Sequence, residues 1–304
     1  MTGLNGWIIL DKPRGLGSTN ALGAVKRALR EGGYAKVKIG HGGTLDPLAT
    51  GVLPIALGEA TKLAGRMLDS DKVYMFTITF GTETDGLDAE GAVVATSDVR
   101  PSWAAVNAVL PRFTGPILQV PPAFSAIKVD GRRAYDLARA GQVVELNPRN
   151  VVVHALYSSH WDMPVRESDP MERITLSAHV SKGTYIRSLA RDIAKALGTV
   201  GHVTHLRRTK AGPFTLASAI SLDILFDASK AHALEDTLLP MRTALDDIPA
   251  LALSPEQARL LRLGQVLTGT AAPDGLTLAT LDDIPVALVD VQSGTVKVER
   301  GFNM

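Results

Sequence analysis

The chain has 304 residues, of which 45% are hydrophobic and 21% charged, with a formal net charge of +1 and no cysteine. This composition predicts a globular protein with two domains, and the lack of cysteine excludes disulfides and thiolate zinc sites and favours a reducing, cytoplasmic compartment. Neither a signal peptide nor an apolar run of roughly 18 residues is found, so no membrane association is expected.

The first predicted elements are a strand and a helix. Trp7 to Leu10 form a short apolar strand, and Ser18 or Thr19 is expected to cap the helix that follows. Its apolar residues recur at helical spacing, and Gly32 ends it.

A Gly-rich segment comes next, Gly40 to Leu57, with the sequence GHGGTLDPLATGVLPIAL. Its glycines permit positive φ and close approach to a ligand, and Asp46 begins an Asp-Pro turn. Asp46 therefore either caps a turn or is a reactive carboxylate. The end of the segment predicts a buried strand with Pro54 at its start or edge, followed by an amphipathic helix over residues 59–68.

Alternation over residues 73–80 predicts a strand with Tyr74 on its inward face, where a core role is the plain alternative to a catalytic one. The acidic loop around Asp85, Asp88 and Glu90 lacks calcium-ligand spacing and is interpreted as a turn. Residues 121–150 break the periodic pattern and predict a projecting insertion with one short helix.

Strands are predicted over residues 151–160 and 174–180, and then a helix over 186–197 with Arg187 in its first turn. A cation there opposes the helix dipole by roughly 0.3 to 1 kcal/mol, so a buried carboxylate such as Asp46 is expected to compensate it. His202 and His205 have no third metal ligand at an obvious spacing and are interpreted as structural or RNA-facing.

From residue 248 the sequence predicts a small β module. Ser254 to Gln257 form a capping box with proline at its first helical position, Gly264 ends the helix, and strands follow at 276–281, 286–291 and 295–299.

Basic residues cluster in two other segments: residues 11–41 and 182–210 carry seven each. This clustering favours a phosphate-binding surface over a merely solvated face.

Asp46 lies in the pattern G-H-x-G-x-L-D-P-x-A-x-G-x-L-P, which resembles the catalytic-aspartate motif of the TruB-type pseudouridine synthases, and every fixed position is met. Further motifs of that family follow in order. They are LDKPRG (10–15), DSDKVY (69–74), GTETDGLDAEG (81–91), PPAFSAIKVDGRRAYDLARAG (121–141), VSKGTYIR (180–187) and GHVTHLRRTKAGPF (201–214). The family often has threonine where Gly42 stands.

The resemblance implies an α/β (α+β) pseudouridine synthase fold with a mixed, largely antiparallel sheet flanked by helices. Residues 1–247 would form the catalytic domain, with residues 121–150 as its RNA-gripping thumb. Residues 248–304 would form a PUA-like C-terminal domain, although their acidity argues against tight RNA contact.

The resemblance also assigns roles to individual residues. Asp46 would be the nucleophile, attacking either C1′ or C6 of the target nucleotide, Arg187 would pair with it, and Tyr74 would stack on the uracil and take part in removal of the C5 proton. The remaining residues would support the pocket or the RNA, and they are His41, Lys12, Pro13, Tyr185, Leu206, Arg132 and Arg133.

The implied reaction isomerises uridine to pseudouridine in tRNA, at uridine 55 of the T loop, after the base is flipped out of the folded RNA. It needs no cofactor or metal, and tRNA is the only partner expected of a cytoplasmic monomer. Two rival functions are a non-catalytic RNA-binding or chaperone protein and a dinucleotide-binding oxidoreductase. The latter rests on the incomplete pattern Gly15-x-Gly17-x-x-Asn20.

Overall fold

The computed structural model describes residues 4–158 and 166–304. Within these ranges the α-helices are α1 (Ser18–Glu31), α2 (Ala64–Asp69), α3 (Trp103–Val109), α4 (Ala134–Arg139), α5 (Ile186–Ala196), α6 (Leu222–Lys230) and α7 (Pro255–Arg262). The strands are β1 (Gly6–Lys12), β2 (Ile39–His41), β3 (Thr50–Leu57), β4 (Lys72–Phe80), β5 (Thr82–Thr84), β6 (Val93–Thr96), β7 (Gly115–Gln119), β8 (Lys128–Val129), β9 (Arg132–Arg133), β10 (Arg149–Ser158), β11 (Arg173–Val180), β12 (Gly201–Ala211), β13 (Phe214–Thr215), β14 (Ala250–Ala252), β15 (Gly275–Leu281), β16 (Ile284–Gln292) and β17 (Thr295–Gly301). None of the described helices is long and apolar enough to cross a lipid bilayer.

The main sheet has nine strands in the order β1-β3-β12-β4-β11-β10-β7, with β2 and β13 paired to β3 and β12 outside this path. The β12–β3 pair is parallel, whereas the other pairs in this sheet are antiparallel. The predicted fold class is therefore confirmed. Because β1 and β3 are antiparallel, the N-terminal segment does not form the parallel βαβ unit of a dinucleotide site, and the oxidoreductase alternative is wrong.

Both faces of the N-terminal strand are buried, because successive side chains of a strand point to opposite faces. Ile8 and Leu10 belong to the larger core, which also contains the buried faces of α1, α5 and β4. Trp7 and Ile9 belong to a second core, where the Trp7 indole donates to the Met241 carbonyl at 3.3 Å. The predicted inward face of β4 and the predicted stripe of α5 are both confirmed as parts of the larger core.

The prediction that Ser18 or Thr19 caps α1 is wrong. Gly17 is the N-cap residue, and no side chain caps this helix. The Ser18 hydroxyl instead donates to the Leu45 carbonyl at 3.0 Å and accepts from the Leu45 N–H at 2.7 Å. Ser18 therefore connects α1 to the loop that carries Asp46.

The predicted position of Pro54 is also wrong, because Pro54 lies inside β3 opposite Ile9 of β1. The Pro54 carbonyl accepts from the Gly42 N–H. The nitrogen and the carbonyl of one strand residue point to the same side, so the Pro54 nitrogen also faces the Gly-rich loop and not β1. The missing N–H thus interrupts no pairing with β1.

The predicted helix over 59–68 begins as a 3₁₀ helix, Gly58–Leu63, and becomes α-helical only in α2.

Gly51 lies where β3 pairs with β12, and its φ of +100° is one that only glycine adopts readily. A Cβ there would stand 2.2 Å from the Arg208 carbonyl oxygen. We expect Gly51→Ala to lower the free energy of unfolding by at least about 2 kcal/mol, measured by urea denaturation. Gly23→Ala is the matched control: Gly23 is an exposed helical glycine with no atom near its added Cβ, and the change should stabilise by roughly 1 kcal/mol. Equal effects of the two changes would contradict the strain argument.

Residues 121–150 leave the main sheet between β7 and β10, as predicted. A hairpin of β8 and β9 precedes α4, and its turn places Asp130 and Gly131 at φ values of 50° and 82°. Two successive positive φ angles are typical of a type I′ turn. The predicted short helix is confirmed as α4. The hairpin was not predicted, because each of its strands has only two residues, too few for alternation to be recognised.

The C-terminal β module is a four-stranded sheet in the order β14-β15-β16-β17, with α7 packed against it. The predicted capping box is confirmed: the Ser254 hydroxyl accepts from the Gln257 N–H, and the Gln257 side chain accepts from the Ser254 N–H. Leu278, Leu288 and Phe302 join the second core, so the module packs against β1. Its likeness to PUA-type domains and the division at residue 248 remain predictions.

Candidate active site

Asp46 lies in the loop between β2 and β3, and a buried cation holds the residues before it. Arg208 on β12 is 1% exposed. Its guanidinium donates to the carbonyls of Gly43 and Thr44 at 3.2 Å each, and to the Val52 carbonyl at 2.7 Å. Hydrogen bonds from a charged donor contribute roughly 1.5 to 3 kcal/mol each, so this loop has one strongly favoured shape.

A second buried cation holds the residues after Asp46. Lys12 of β1 is fully buried, and its ammonium donates to the carbonyls of Leu16 at 2.6 Å, Pro13 at 3.0 Å and Pro47 at 3.4 Å. Burial lowers the pKa of Lys12 to about 8, while the charge of Asp46 acts in the opposite direction. With Ser18 bound to Leu45, the loop is thus fixed on both sides of the aspartate.

The Asp46 carboxylate meets Arg187 in the first turn of α5. Oδ2 of Asp46 lies 2.9 Å from Nη2 of Arg187, and Oδ2 of Asp88 lies 3.3 Å from Nη1. The guanidinium also donates to the carbonyls of Gly86 at 2.8 Å and Phe124 at 3.0 Å. One buried arginine therefore joins two carboxylates, the acidic turn and the insertion.

The two carboxylates differ in burial: the Asp46 side chain is 38% exposed and that of Asp88 is 10% exposed. The expected ion pair between Asp46 and Arg187 is present, but Asp46 is only partly buried. The buried carboxylate beside Arg187 is Asp88, which the sequence did not predict. Burial raises the pKa of Asp88, and the charge of Arg187 opposes this shift. Asp46 keeps one side open to the cleft.

Asp46 and Arg187 line an open cleft of about 970 Å³. The other walls are the start of α1, the acidic turn and the insertion. From the insertion, Arg133 and Arg139 flank the Tyr135 ring, with their Cζ atoms 5.8 and 5.6 Å from its centroid. Positive charge next to an aromatic ring is the combination that proteins use to hold unpaired nucleotides.

The structure brings four of the predicted site residues to this cleft: His41, Asp46, Arg133 and Arg187. Burial and the charge of Arg208 lower the pKa of His41, so its imidazole is neutral at pH 7. The Gly43 N–H points to Nδ1 of this ring at 3.4 Å.

The other predicted residues lie around the cleft without lining it. Tyr74 of β4 is half-buried opposite Arg208, Leu206 is part of the larger core, and Tyr185 immediately precedes α5. Burial raises the pKa of Tyr185, and the nearby charge of Asp46 raises it further. Lys12 and Pro13 lie beneath the Asp46 loop, and Arg132 is exposed on β9.

Two residues of this site are missing from the sequence prediction, Asp88 and Arg208. Asp88 was interpreted as part of a turn, and nothing in the neighbouring sequence indicates a contact with Arg187. A signal for Arg208 does exist: adjacent residues of a strand point to opposite faces, so one of Arg207 and Arg208 has to point inward. Arg207 is the outer one and pairs with Asp11 at 2.8 Å.

Two family models match the chain. Residues 29–186 match the N-terminal domain of the TruB family of pseudouridylate synthases, and residues 187–246 match the C-terminal domain of tRNA pseudouridylate synthase B. The curated relatives include tRNA pseudouridine synthase B of Novosphingobium aromaticivorans, which is 63% identical over 99% of this chain and 98% of the relative. The protein of the same name from Zymomonas mobilis subsp. mobilis is 55% identical over 99% of this chain and 96% of that relative.

Solved structures share the fold at lower identity. An H/ACA RNP bound to a substrate RNA containing 2′-deoxyuridine has a chain with a TM-score of 0.72 and 24% identity, covering 98% of this chain and 85% of that one. A chain of a Cbf5-Nop10-Gar1 complex has a TM-score of 0.71 and 25% identity, with the same two coverages.

Proposed function

The chain belongs to the TruB family of pseudouridylate synthases, and from this premise we propose that it acts on uridine 55 of the T loop of tRNA with Asp46 as its nucleophile. The coarser activity follows from its relatives: it is a tRNA pseudouridine synthase, an isomerase. The observation that carries the proposal is the partly exposed Asp46 carboxylate, 2.9 Å from Arg187 at the wall of the cleft.

The reaction defines what these groups do. The N1–C1′ bond of the uridine breaks, the uracil turns, and a C5–C1′ bond forms while C5 loses a proton and N1 gains one. Atoms and electrons balance without a second substrate. The Asp46 carboxylate attacks C1′ or C6 and leaves again at the end, and Arg187 holds it in place. In the same proposal Tyr74 stacks on the uracil and takes part in removal of the C5 proton.

The cleft walls would hold the RNA around a flipped nucleotide. His41 is placed where it can fill the space that the base vacates, because it lines the cleft next to the Asp46 loop. The basic insertion would contact the phosphates of the T arm, with Arg132 outside the cleft and Arg133 in it. We also propose that the protein is a cytoplasmic monomer, the compartment being the one that a chain without cysteine favours.

The target position is tested with purified protein and unmodified tRNA transcripts, by mapping pseudouridine after the reaction. We expect conversion of uridine 55 and none in a transcript with cytidine at that position. Modification of another uridine at an equal rate would contradict the assignment of the T loop while leaving the isomerase activity in place. A chain that binds the transcripts without converting any uridine would instead support the RNA-binding or chaperone alternative.

The role of the insertion is tested by removing two of its charges. Arg132→Ala with Arg133→Ala should weaken tRNA binding and reduce the steepness of its salt dependence, since each lost phosphate contact removes roughly 0.7 to 0.9 from the slope of log affinity against log salt. Filter binding over a series of salt concentrations measures both effects.

The matched control is Arg112→Ala with Arg173→Ala, which removes the same charge from two exposed positions that do not line the cleft. The control should leave the slope at the parent value. Equal slopes for the insertion variant and the parent would mean that Arg132 and Arg133 contact no phosphate.

A further inference from the structure

A second cluster of ionisable side chains lies outside the cleft, and the proposed reaction does not use it. Asp71 precedes β4, His154 lies on β10, and His179 lies on β11. The Nε2 atoms of His154 and His179 stand 3.1 and 3.7 Å from Oδ2 of Asp71, and the three potential ligand atoms all lie within 4.8 Å of one another. His179 points away from the larger core, since its neighbours Ala178 and Val180 are buried there.

We propose that Asp71, His154 and His179 bind a divalent transition-metal ion of the zinc type. Two imidazole nitrogens and one carboxylate oxygen suit zinc, nickel, copper or cobalt, whereas magnesium and calcium prefer oxygen ligands. Tetrahedral zinc with bonds near 2.1 Å separates its ligand atoms by about 3.3–3.5 Å. The two measured separations lie on either side of that range, and a water would complete the coordination.

The three ligands are held on rigid parts of the fold. His154 and His179 lie on paired strands, where His179 stands opposite Ala155. The Asp71 carbonyl accepts from the Gly212 N–H at 3.0 Å. The neighbouring Lys72 is buried and donates to the carbonyls of Met67, Leu68 and Ser70, so the turn before β4 is fixed. An arrangement held in this way loses little conformational entropy on binding an ion.

The cations closest in sequence to these ligands are already paired. Lys182 lies 2.9 Å from the Asp69 carboxylate, and the Lys72 ammonium binds carbonyls. Asp71 therefore faces two imidazoles whose ring centroids are 4.8 Å apart. The carboxylate and the two ring nitrogens thus converge on one point, where a single ion could contact all three.

Isothermal titration of the metal-free, full-length chain with Zn²⁺ tests the site, with Co²⁺ absorption as a spectroscopic readout. We expect one ion per chain, and a rise in the thermal midpoint on adding Zn²⁺. Loss of an outer-shell partner lowers metal affinity by roughly 10-fold to 100-fold. His154→Ala and His179→Ala each remove a direct ligand, so each should lower the Zn²⁺ affinity by more than this, and Asp71→Asn should also weaken binding. The two histidine variants should also abolish the thermal shift and the cobalt bands.

His205→Ala is the matched control, because His205 is an exposed histidine on β12 of the same sheet and is not one of the three ligands. It should bind Zn²⁺ like the parent. Circular dichroism of the metal-free variants checks that each is folded, as expected for side chains at the surface. Parental affinity in both His154→Ala and His179→Ala, or no saturable binding by the parent, would overturn the proposal. Neither result would bear on the isomerase reaction, which is measured in metal-free protein.

Discussion

Replacing Asp46 with asparagine is expected to slow pseudouridine formation by at least about 10⁴-fold, which corresponds to about 5.4 kcal/mol in the activation barrier. The amide has nearly the shape of the carboxylate but is a poor nucleophile. The loop should keep its form, because Arg208, Lys12 and Ser18 bind its backbone rather than the Asp46 side chain. Single-turnover rates on a tRNA transcript measure the effect.

Affinity for tRNA should stay close to the parental value, which separates loss of chemistry from loss of binding. Asp85→Asn is the control, since Asp85 is an exposed carboxylate that lines the same cleft without contacting Arg187. It removes the same charge and should retain most of the activity. If Asp46→Asn keeps activity within about tenfold of the parent, a barrier change of only about 1.4 kcal/mol, Asp46 is not the nucleophile.

Arg187→Met should damage both stability and catalysis. It leaves Asp88 as a buried carboxylate without its cation, and breaking a buried pair in this way costs roughly 3 to 5 kcal/mol. It also removes the cation that pairs with Asp46 at 2.9 Å. Arg187→Lys should be milder, although an ammonium cannot reproduce the planar fork that contacts two carboxylates. Urea unfolding and single-turnover rates measure the two effects.

A double variant separates the structural role of Arg187 from its role beside Asp46. Adding Asp88→Asn to Arg187→Met removes the uncompensated buried charge with almost no change of shape. Stability should therefore recover in part, whereas the isomerisation rate should stay low. Recovery of the rate along with stability would show that Arg187 supports the fold and does not act on Asp46.

The stability deficit of Arg187→Met should depend on pH. Burial raises the pKa of Asp88 above that of the unfolded chain, and Arg187 opposes this shift, so removing Arg187 should raise the pKa further. A carboxyl group with a raised folded pKa contributes its stability at low pH and loses it as pH rises through that pKa. The difference in unfolding free energy between parent and variant should thus grow from about pH 4 to pH 7. A constant difference would contradict the assignment of the buried charge to Asp88.

Local patterns predicted the elements that depend on local causes. The β4 alternation, the α5 stripe and the Ser254 capping box follow from residues a few positions apart, and the structure confirms them. The prediction that Ser18 caps α1 failed for the opposite reason. Its hydroxyl could cap a helix, but in the folded chain it bonds to both the N–H and the carbonyl of Leu45. This contact between distant segments outweighs the local capping preference.

The sequence predicted the site residues whose local sequence indicates their chemistry, but not the contacts between distant segments. The Gly-rich setting indicated Asp46, and the unfavourable cation at a helix start indicated that Arg187 needs a carboxylate. The choice between Asp46 and Asp88 as the buried partner depends on how the acidic turn packs under α5. That packing is a contact between distant segments, and no periodicity in either segment encodes it.

The placement of β12 between β3 and β4 affects when the loop around Asp46 can become ordered during synthesis of the chain. The ribosome synthesises β3 and β4 long before β12, so at first neither strand can pair with β12. Arg208, which lies on β12, is also not yet present to bind the carbonyls of Gly43 and Thr44. Pairing between distant segments forms slowly. The nascent chain therefore carries the aspartate well before the loop geometry that orients it, and the arrival of β12 joins the two parts of the sheet and fixes the loop.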